Sequence, residues 1–299
     1  MPEACPRGPL ELTKLTGLMH RNSGSPAVKI GLVDGPVSSQ HPDFARESLR
    51  DISGSNRTCT QSSSKACMHG TFVAGILSAK RGSIAPAICP GCVLLVRPIF
   101  SEKTTGDDPL PSATPLELAT AVHECIDAGA RVINLSLAVA RPSLRVEEPL
   151  EAALTRAASR NVIVVAAAGN QGTLGSTAIT RHPWVIPVVG CDLCGRPLDD
   201  SNLGSSIGRR GLCAPGAPVT SLSSGRQPLK LGGTSIAAPF VTGAIALLWS
   251  EFPAATALEI KLAVSAATQF RRTSVAPPLL NAAAAYNSLL AASLRRRIA

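Results

Sequence analysis

The most informative stretch of this chain reads Gly232-Gly233-Thr234-Ser235-Ile236-Ala237-Ala238-Pro239. It places Ser235 between a glycine-rich turn and an apolar run, Phe240 to Trp249, that is typical of a buried helix. A serine at that junction lies at a helix N-terminus, where the helix dipole and free N–H groups favour developing negative charge. An ordinary capped helix has the same local pattern, so the upstream sequence must separate the two interpretations.

Two upstream stretches supply the partners that a nucleophilic serine needs. The segment Val28 to Val37 is an apolar strand that ends on Asp34 and then breaks at Gly-Pro. The segment Met68 to Leu77 is an apolar, helix-like run that His69 opens. A carboxylate at the end of a buried strand is poorly solvated and needs a partner. Aspartate, histidine and serine, in this chain order, form the catalytic triad of the subtilisin type.

The sequence resembles the subtilisin-like serine proteases, or subtilases, from about Val28 to about Leu290. The resemblance implies that Ser235 attacks a carbonyl carbon, that His69 accepts its proton, and that Asp34 orients the imidazole. A strand that runs into small residues before Asn170 implies a side-chain amide that donates to the oxyanion. Each residue alone could be a turn, cap or loop residue. Together the four motifs occur in the family's order, separated by 35, 101 and 65 residues.

The resemblance also implies a substrate-binding segment. In the family an extended peptide pairs with a Ser-Leu-Gly backbone, and Ser136, Leu137 and Ala138 occupy that place. Ala138 adds a methyl group where the family has glycine and the substrate backbone passes closely. We expect a pocket for the substrate side chain, with its opposite wall formed by Ala167-Ala168-Gly169. These small residues leave the preferred side chain undetermined.

Composition and alternation predict an α/β protein. The chain has 299 residues, of which 45% are hydrophobic and 16% charged, enough for a sizeable core. Apolar strands alternate with helical segments, which predicts a subtilisin-like three-layer fold with a mostly parallel sheet and helices on both faces. Strands are expected at Val93–Pro98, Val132–Leu137, Val162–Ala167 and Val185–Val189, helices at Ala119–Ala128 and Leu150–Ser159, and surface loops at Thr104–Pro115 and Gly204–Pro218.

One catalytic domain is expected at residues 28–290, with an N-terminal extension at 1–27 that lacks a recognisable prodomain and a basic tail at 291–299. No apolar run is long enough to cross a membrane, and the first residues lack the apolar core of a signal peptide. Only 33 residues precede Asp34 and the first of them is a methionine, so a cytoplasmic protease without a prodomain is expected in preference to a trimmed chain. The net charge of +9 is mostly scattered and aromatic residues make up 3%, so we expect no nucleic-acid partner. The expected partner is a peptide or protein substrate, and no cofactor is expected.

Nine cysteines raise the question of a metal site. Cys89 and Cys92 have zinc-ligand spacing, as have Cys191 and Cys194. The first pair precedes one strand and the second follows another, so the pairs would lie at opposite sheet edges, about 17–20 Å apart. Separate disulfides or free thiols are expected instead, and a cytoplasmic location favours thiols. Cys67 is a competing nucleophile, with Cys59 as its only nearby disulfide partner.

Many secreted relatives bind a structural calcium ion beside the helix that follows the catalytic histidine. In the family, an aspartate that matches Asp43 contributes a ligand. Here the segment from Ile76 to Ser83 contains Lys80 and Arg81 and has no Asp, Glu or Asn. Calcium prefers six to eight oxygen ligands. The sequence therefore predicts no calcium at this position and leaves Asp43 as a turn or cap residue.

Several short segments resemble the proteases that mature cyanobactins and related ribosomal peptides. They are Asp34-Gly35-Pro36-Val37, His41-Pro42-Asp43-Phe44, Gly82-Ser83-Ile84-Ala85-Pro86 and Arg97-Pro98-Ile99-Phe100. This resemblance implies cleavage of a ribosomal precursor peptide. The macrocyclising members carry a helical cap for which this chain has no room, so hydrolysis is expected. Two alternatives stay open: a catalytically silent, peptide-binding pseudoprotease and an esterase with the same fold.

Overall fold

The computed structural model describes residues 8–54, 59–102, 113–137, 147–225, 227–265 and 274–298. Seven strands form one parallel sheet in the order β2-β3-β1-β4-β5-β6-β7. Their bounds are β1 Lys29–Asp34, β2 Leu49–Asp51, β3 Val93–Pro98, β4 Val132–Leu135, β5 Ile163–Ala167, β6 Val185–Cys191 and β7 Leu212–Pro215. A small antiparallel pair consists of β8, Val219–Ser221, and β9, Leu229–Leu231.

Helices cover both faces of the parallel sheet. One face carries α3 and α8, and the other carries α4 and α5. The bounds are α1 Pro9–Leu12, α2 Leu15–Arg21, α3 Lys65–Ser78, α4 Pro115–Asp127, α5 Glu148–Ser159, α6 Ala178–Arg181, α7 Ser205–Arg210, α8 Thr234–Glu251, α9 Ala257–Ser265 and α10 Ala282–Ile298. This arrangement confirms the predicted three-layer α/β fold.

The strands divide their side chains between two cores. In β3, Leu94 and Val96 pack into the core under α3 and α8, whereas Val93 and Leu95 pack into the core under α4 and α5. Successive side chains of a strand point to opposite faces, and here both faces are covered. The central strands are therefore mostly apolar, as the sequence indicated.

The long apolar helix α8 packs across the part of the sheet that the later strands form. Its contacts include β4, β5, β6 and β7, and Phe240 and Trp249 are fully or almost fully buried. Pro239 lies inside the helix and has no N–H for the carbonyl of Ser235, four residues earlier. The hydroxyl of Ser136, which follows β4, donates to that carbonyl at 2.9 Å. A core strand thus satisfies the helix carbonyl that the proline frees.

The prediction of a surface loop at 204–218 was wrong. Ser205–Arg210 form α7, and Leu212–Pro215 form β7, which pairs with β6 and is buried. The flanking glycines and prolines indicated a loop, but β7 lies at an edge of the sheet, where Pro215 is tolerated. Residues 104–112 of the other predicted loop lie outside the described residues. Its last residue, Pro115, instead begins α4 after a capping box formed by Thr114 and Glu117.

The predicted extension at 1–27 contributes two packed helices, α1 and α2. Leu15 and Leu18 of α2 are buried in the core that α8 shares, and α10 packs against both α2 and α9. The predicted basic tail at 291–299 continues α10 as far as Ile298. The domain division and the cytoplasmic location stay predictions. None of the described helices is long and apolar enough to cross a membrane.

Candidate active site

Asp34 ends strand β1 and is fully buried. Its Oδ1 accepts a hydrogen bond from the N–H of Gly35 at 2.6 Å. Helix α3 approaches this turn so closely that a Cβ on Gly35 would overlap the carbonyl oxygen of Ala66. A Cβ on Gly70 would likewise overlap the carbonyl oxygen of Gly35. These two glycines let α3 lie against the carboxylate.

His69 lies in the second turn of α3, because the helix begins four residues before the position that the sequence predicted. Its Nδ1 is 2.7 Å from Asp34 Oδ1, and its Nε2 is 3.0 Å from Ser235 Oγ. Asp34, His69 and Ser235 therefore form one continuous hydrogen-bonded line. This geometry allows the imidazole to accept a proton from the serine while the carboxylate fixes its tautomer.

The carboxylate of Asp34 changes the pKa of His69. Burial lowers the pKa of His69, but the charge of Asp34 and its hydrogen bond raise this pKa by more, so that it lies above its ordinary value of 6.5. Among the described residues, no donor contacts the second carboxylate oxygen, Oδ2. The carboxylate is thus arranged to stabilise the imidazolium that forms when His69 takes a proton.

Ser235 is the second residue of α8. Gly233 precedes the helix with a φ of +105°, which favours glycine, and a Cβ there would lie 3.0 Å from Asn170 Nδ2. The hydroxyl of Thr234 accepts a hydrogen bond from the N–H of Gly169 at 3.1 Å. The serine is consequently presented at the start of the helix, partly exposed, between the ends of two core strands.

Asn170 lies beside this helix start and its side chain is exposed. Its Oδ1 accepts a hydrogen bond from the N–H of Thr234 at 2.8 Å. Because the oxygen is engaged, the orientation of the amide is determined. Within the part of the chain that the structure describes, no acceptor contacts Nδ2, so this donor remains for a ligand. Such a donor beside a nucleophilic serine can bind a developing oxyanion.

The family model described as the Subtilase family matches residues 25–286. The chain belongs to the subtilase family, the subtilisin-like serine proteases. Mycosin-3 of Mycobacterium tuberculosis is 30% identical to it over 245 residues, covering 64% of this chain and 52% of mycosin-3. The chain therefore spans about half the length of that curated relative.

Solved structures give the same assignment. A mutant of the protease domain of PatA is 31% identical to this subtilase, with a TM-score of 0.82, covering 90% of this chain and 98% of that domain. The prenylagaramide maturation protease PagA is 27% identical, with a TM-score of 0.79, covering 92% of this chain and 98% of PagA. The predicted resemblance to peptide maturation proteases is thus confirmed as a similarity of sequence and fold.

A second set of polar residues holds the nucleophile of this subtilase, and the sequence analysis missed two of them. Thr242 Oγ1 donates to Asn134 Oδ1 at 2.8 Å, and Asn134 Nδ2 donates to Ser136 Oγ at 2.7 Å. Ser136 then donates to the carbonyl of Ser235, as described above. The three residues of this hydrogen-bonded series, Thr242, Asn134 and Ser136, are all buried. An asparagine inside the apolar run of β4 was a signal that could have found Asn134.

Asn202, also missed, organises the turn that carries Asn170. Its Oδ1 accepts hydrogen bonds from the N–H groups of Gln171 and Thr173 at 3.1 and 3.0 Å, and its Nδ2 donates to the carbonyl of Ala168 at 3.2 Å. Asn202 is 3% exposed. It stands in no recognisable motif, so only the folded chain reveals this contact.

The predicted substrate-binding residues lie on both sides of the helix start. Ser136 is buried and Leu137 is partly exposed after the end of β4, while Ala138 lies outside the described residues. Ala167 and Ala168 are buried at the end of β5, and Gly169 contacts Thr234. The structure brings these segments together around Ser235, and their role in substrate binding stays a prediction.

The segment after α3 does not fit a calcium ion. The ammonium group of Lys80 donates to the carbonyl of Pro42 at 2.7 Å. The guanidinium of Arg81 donates to the carbonyls of Met19 and Ile88 at 3.0 and 2.7 Å. Two side-chain cations are therefore fixed at this segment by hydrogen bonds, and they would repel a metal cation. Asp43 lies in a turn, where its N–H contacts His41 Nδ1 at 3.2 Å.

The cysteines are used differently from the zinc pattern. Cys89 and Cys92 are buried thiols, whereas Cys194 takes part in a disulfide. Cys191 is a buried thiol within β6, not after the strand as predicted. Cys67 is buried and disulfide-bonded to Cys59, the partner that the sequence indicated, with 5.5 Å between the Cα atoms. This bond excludes Cys67 as the nucleophile in the oxidised protein.

Proposed function

We propose that this subtilase is a serine endopeptidase that hydrolyses peptide bonds through an acyl-enzyme intermediate. The observation that carries the proposal is the hydrogen-bonded line from Asp34 through His69 to Ser235, with separations of 2.7 and 3.0 Å. Family membership supports the same reaction. A catalytically silent protein would not need these three residues to be hydrogen-bonded in this order.

In the proposed reaction Ser235 Oγ attacks the substrate carbonyl carbon while His69 Nε2 accepts the serine proton. Asp34 stabilises the resulting imidazolium, and Asn170 Nδ2 donates to the oxyanion of the tetrahedral intermediate. His69 then returns the proton to the leaving amine. A water molecule, activated by the same imidazole, hydrolyses the acyl-enzyme and releases Ser235.

The proposed substrate is an extended peptide, and more specifically a ribosomally made precursor peptide. Ser136 and Leu137 directly follow β4 and lie next to Ser235, where an extended chain could add to their backbone. PagA is described as a prenylagaramide maturation protease, and it covers 92% of this chain. That similarity supports peptide maturation as the class of reaction.

Covalent labelling tests the proposal. We expect a fluorophosphonate to modify the wild-type protein at Ser235 and to leave Ser235→Ala unlabelled. We expect Ser235→Ala and His69→Ala each to abolish peptide cleavage, and the double variant to be scarcely worse, because the residues act as one unit. Peptide and simple ester substrates, assayed side by side, separate a protease from an esterase. An unlabelled wild-type protein, or an active Ser235→Ala variant, would contradict the assignment.

A further inference from the structure

A short loop, residues 59–64, leads directly into the helix that carries His69. Ser64 caps α3: its Oγ accepts from the N–H of Cys67 at 3.5 Å, and its carbonyl accepts from the N–H of Met68 at 2.9 Å. Cys59, at the other end of the 59–64 loop, is disulfide-bonded to Cys67. Cys67 precedes His69 by two residues on the same helix. The disulfide thus ties the loop to the first turn of the catalytic helix.

Two further attachments of the 59–64 loop are hydrogen bonds. Glu102, which follows β3, accepts from the N–H groups of Thr60 and Gln61 through Oε1 at 2.7 and 3.1 Å. The hydroxyl of Ser224 donates to the carbonyl of Ser62 at 2.5 Å. These contacts are solvent-exposed, and each such bond contributes only modestly to stability. The disulfide is therefore the strongest of the attachments seen between the loop and the described residues.

We propose that Cys59–Cys67 is a thiol–disulfide exchange site, through which a dithiol reductant lowers the activity of this protease. The proposal rests on the protease function proposed above. It concerns the half of the site that positions His69, not the half that presents Ser235.

Exposure determines the direction of the exchange. Cys59 is partly exposed, whereas Cys67 is fully buried. An incoming thiolate therefore attacks Cys59 Sγ and forms a mixed disulfide there, while the bond between the two protein sulfurs breaks and Cys67 leaves with the electron pair. The second thiol of the reductant then attacks the mixed disulfide. Cys59 is released, the reductant becomes a disulfide, and its two protons end on Cys59 and Cys67.

Two features act on Cys67 Sγ when it leaves, the N-terminus of α3 and the carboxylate of Glu102. Cys67 is the third residue of α3, where the free N–H groups and the helix dipole stabilise negative charge. Its Sγ is 2.5 Å from Glu102 Oε1, a carboxylate that repels a thiolate and therefore promotes protonation of the leaving sulfur, after which it accepts a hydrogen bond from the thiol. Burial raises the pKa of Glu102, but hydrogen bonds from Thr60 and Gln61 lower this pKa by more, so the carboxylate remains an ionised acceptor.

Among the described residues, reduction leaves the 59–64 loop held by the cap of Ser64 on α3 and by the exposed hydrogen bonds to Glu102 and Ser224. The first turn of α3 then loses its covalent bond to Cys59. We expect His69 Nε2 and Ser235 Oγ to spend less time at the 3.0 Å separation of the oxidised protein. Catalysis is sensitive to misplacement of about 1 Å. We therefore expect reduction to lower kcat more than it raises KM.

The experiment treats the wild-type protein with dithiothreitol, and separately with reduced thioredoxin, in the presence of EDTA. EDTA prevents metal capture by Cys59, Cys67 and Glu102, whose ligand atoms lie within 4.8 Å of one another. Alkylation and peptide mapping report which thiols appear, and peptide cleavage reports activity. We expect both cysteines to become alkylated and kcat to fall by about tenfold, recovering on reoxidation. Full activity with both cysteines alkylated, or no native-state reduction, would overturn the proposal.

Two variants sharpen the test. Cys59→Ser/Cys67→Ser should be insensitive to the reductant. Cys194→Ser should keep the response, because Cys194 belongs to a different disulfide that the same reagent can reduce. Loss of the response in Cys194→Ser would move the effect to that disulfide and overturn the proposal.

A monothiol tests the direction of attack, since glutathione should add to Cys59 and an adduct on Cys67 would contradict it. Fluorophosphonate labelling of the oxidised wild type keeps the two proposals distinguishable. If Ser235 does not react there, the protease function fails while the thiol map still reports the exchange chemistry.

Discussion

The helix that carries Ser235 and the helix that carries His69 are held in opposite ways. The N-terminus of α8 is held by hydrogen bonds from segments that directly follow core strands: the buried Ser136 donates to the carbonyl of Ser235, and Gly169 donates to Thr234. The N-terminus of α3 follows an exposed loop, which a disulfide and the carboxylate of Glu102 hold in place. One half of the catalytic line is built into the core, and the other half depends partly on the surface.

The difference shows which half can be adjusted without unfolding the protein. Buried hydrogen bonds are strong in a low-dielectric interior, and leaving a partner unsatisfied there is costly. Exposed contacts exchange with water and cost little to lose. The position of Ser235 is thus tied to the stability of the whole fold. The position of His69 depends in part on the 59–64 loop, which can change locally.

The largest effect is expected from the α8 side of the comparison, at Asn170. We predict that Asn170→Ala lowers kcat by about a hundredfold to a thousandfold, the range known for removing such a donor in subtilisin, with little change in KM. Asn170→Asp is the matched control, because it keeps an oxygen that can accept from Thr234 but removes the amide donor. Steady-state kinetics of both variants give the measurement. Near-normal activity of Asn170→Asp would show that Asn170 acts by anchoring Thr234 instead.

An intermediate effect, on the free energy of unfolding, is expected from two single variants, one that removes a hydroxyl near α8 and one that removes a hydroxyl near α3. Ser136→Ala leaves the carbonyl of Ser235 and the buried amide of Asn134 without this partner, which should cost about 1–3 kcal/mol of unfolding free energy. Ser224→Ala removes an exposed contact to the 59–64 loop and should cost less than about 0.5 kcal/mol. Denaturant unfolding of the two variants compares them directly. Equal losses would break the distinction between the buried and the exposed attachment.

The smallest effect is expected in the pH profile of His69. Its pKa is raised in the folded protein, and the general base must be neutral, so kcat/KM should rise with pH through a pKa above 6.5. The same shift stabilises the fold at pH values below the unfolded pKa, and this contribution is lost as pH rises through the folded pKa. Activity measured from about pH 5 to 9 tests the sign. An acid limb at or below 6.5 would mean that burial outweighs Asp34.

Local patterns were sufficient for most central strands of the sheet and for the polar residues that end them, but not for β7, which was predicted as a loop. The strand predicted at Val93–Pro98 has those bounds in the structure, because its apolar run Val93–Val96 follows a turn and is buried on both faces. The sequence placed Ser235 at the N-terminus of a helix with an apolar run from Phe240 to Trp249, and α8 begins at Thr234. The hydroxyl of Ser136, which directly follows β4, satisfies the carbonyl that Pro239 frees, and no local pattern indicated this contact.

The amino-acid pattern alone was enough to predict the α/β class, the subtilase resemblance and the order of Asp34, His69, Asn170 and Ser235, because alternation, glycine turns and isolated polar residues are local signals. Tertiary structure decided which contacts support them. The hydrogen bonds of Asn202, the chain from Thr242 to Ser136, and the contact of Glu102 with the 59–64 loop join residues that are distant in sequence. Such contacts depend on the packing of the whole chain, and no short stretch encodes them.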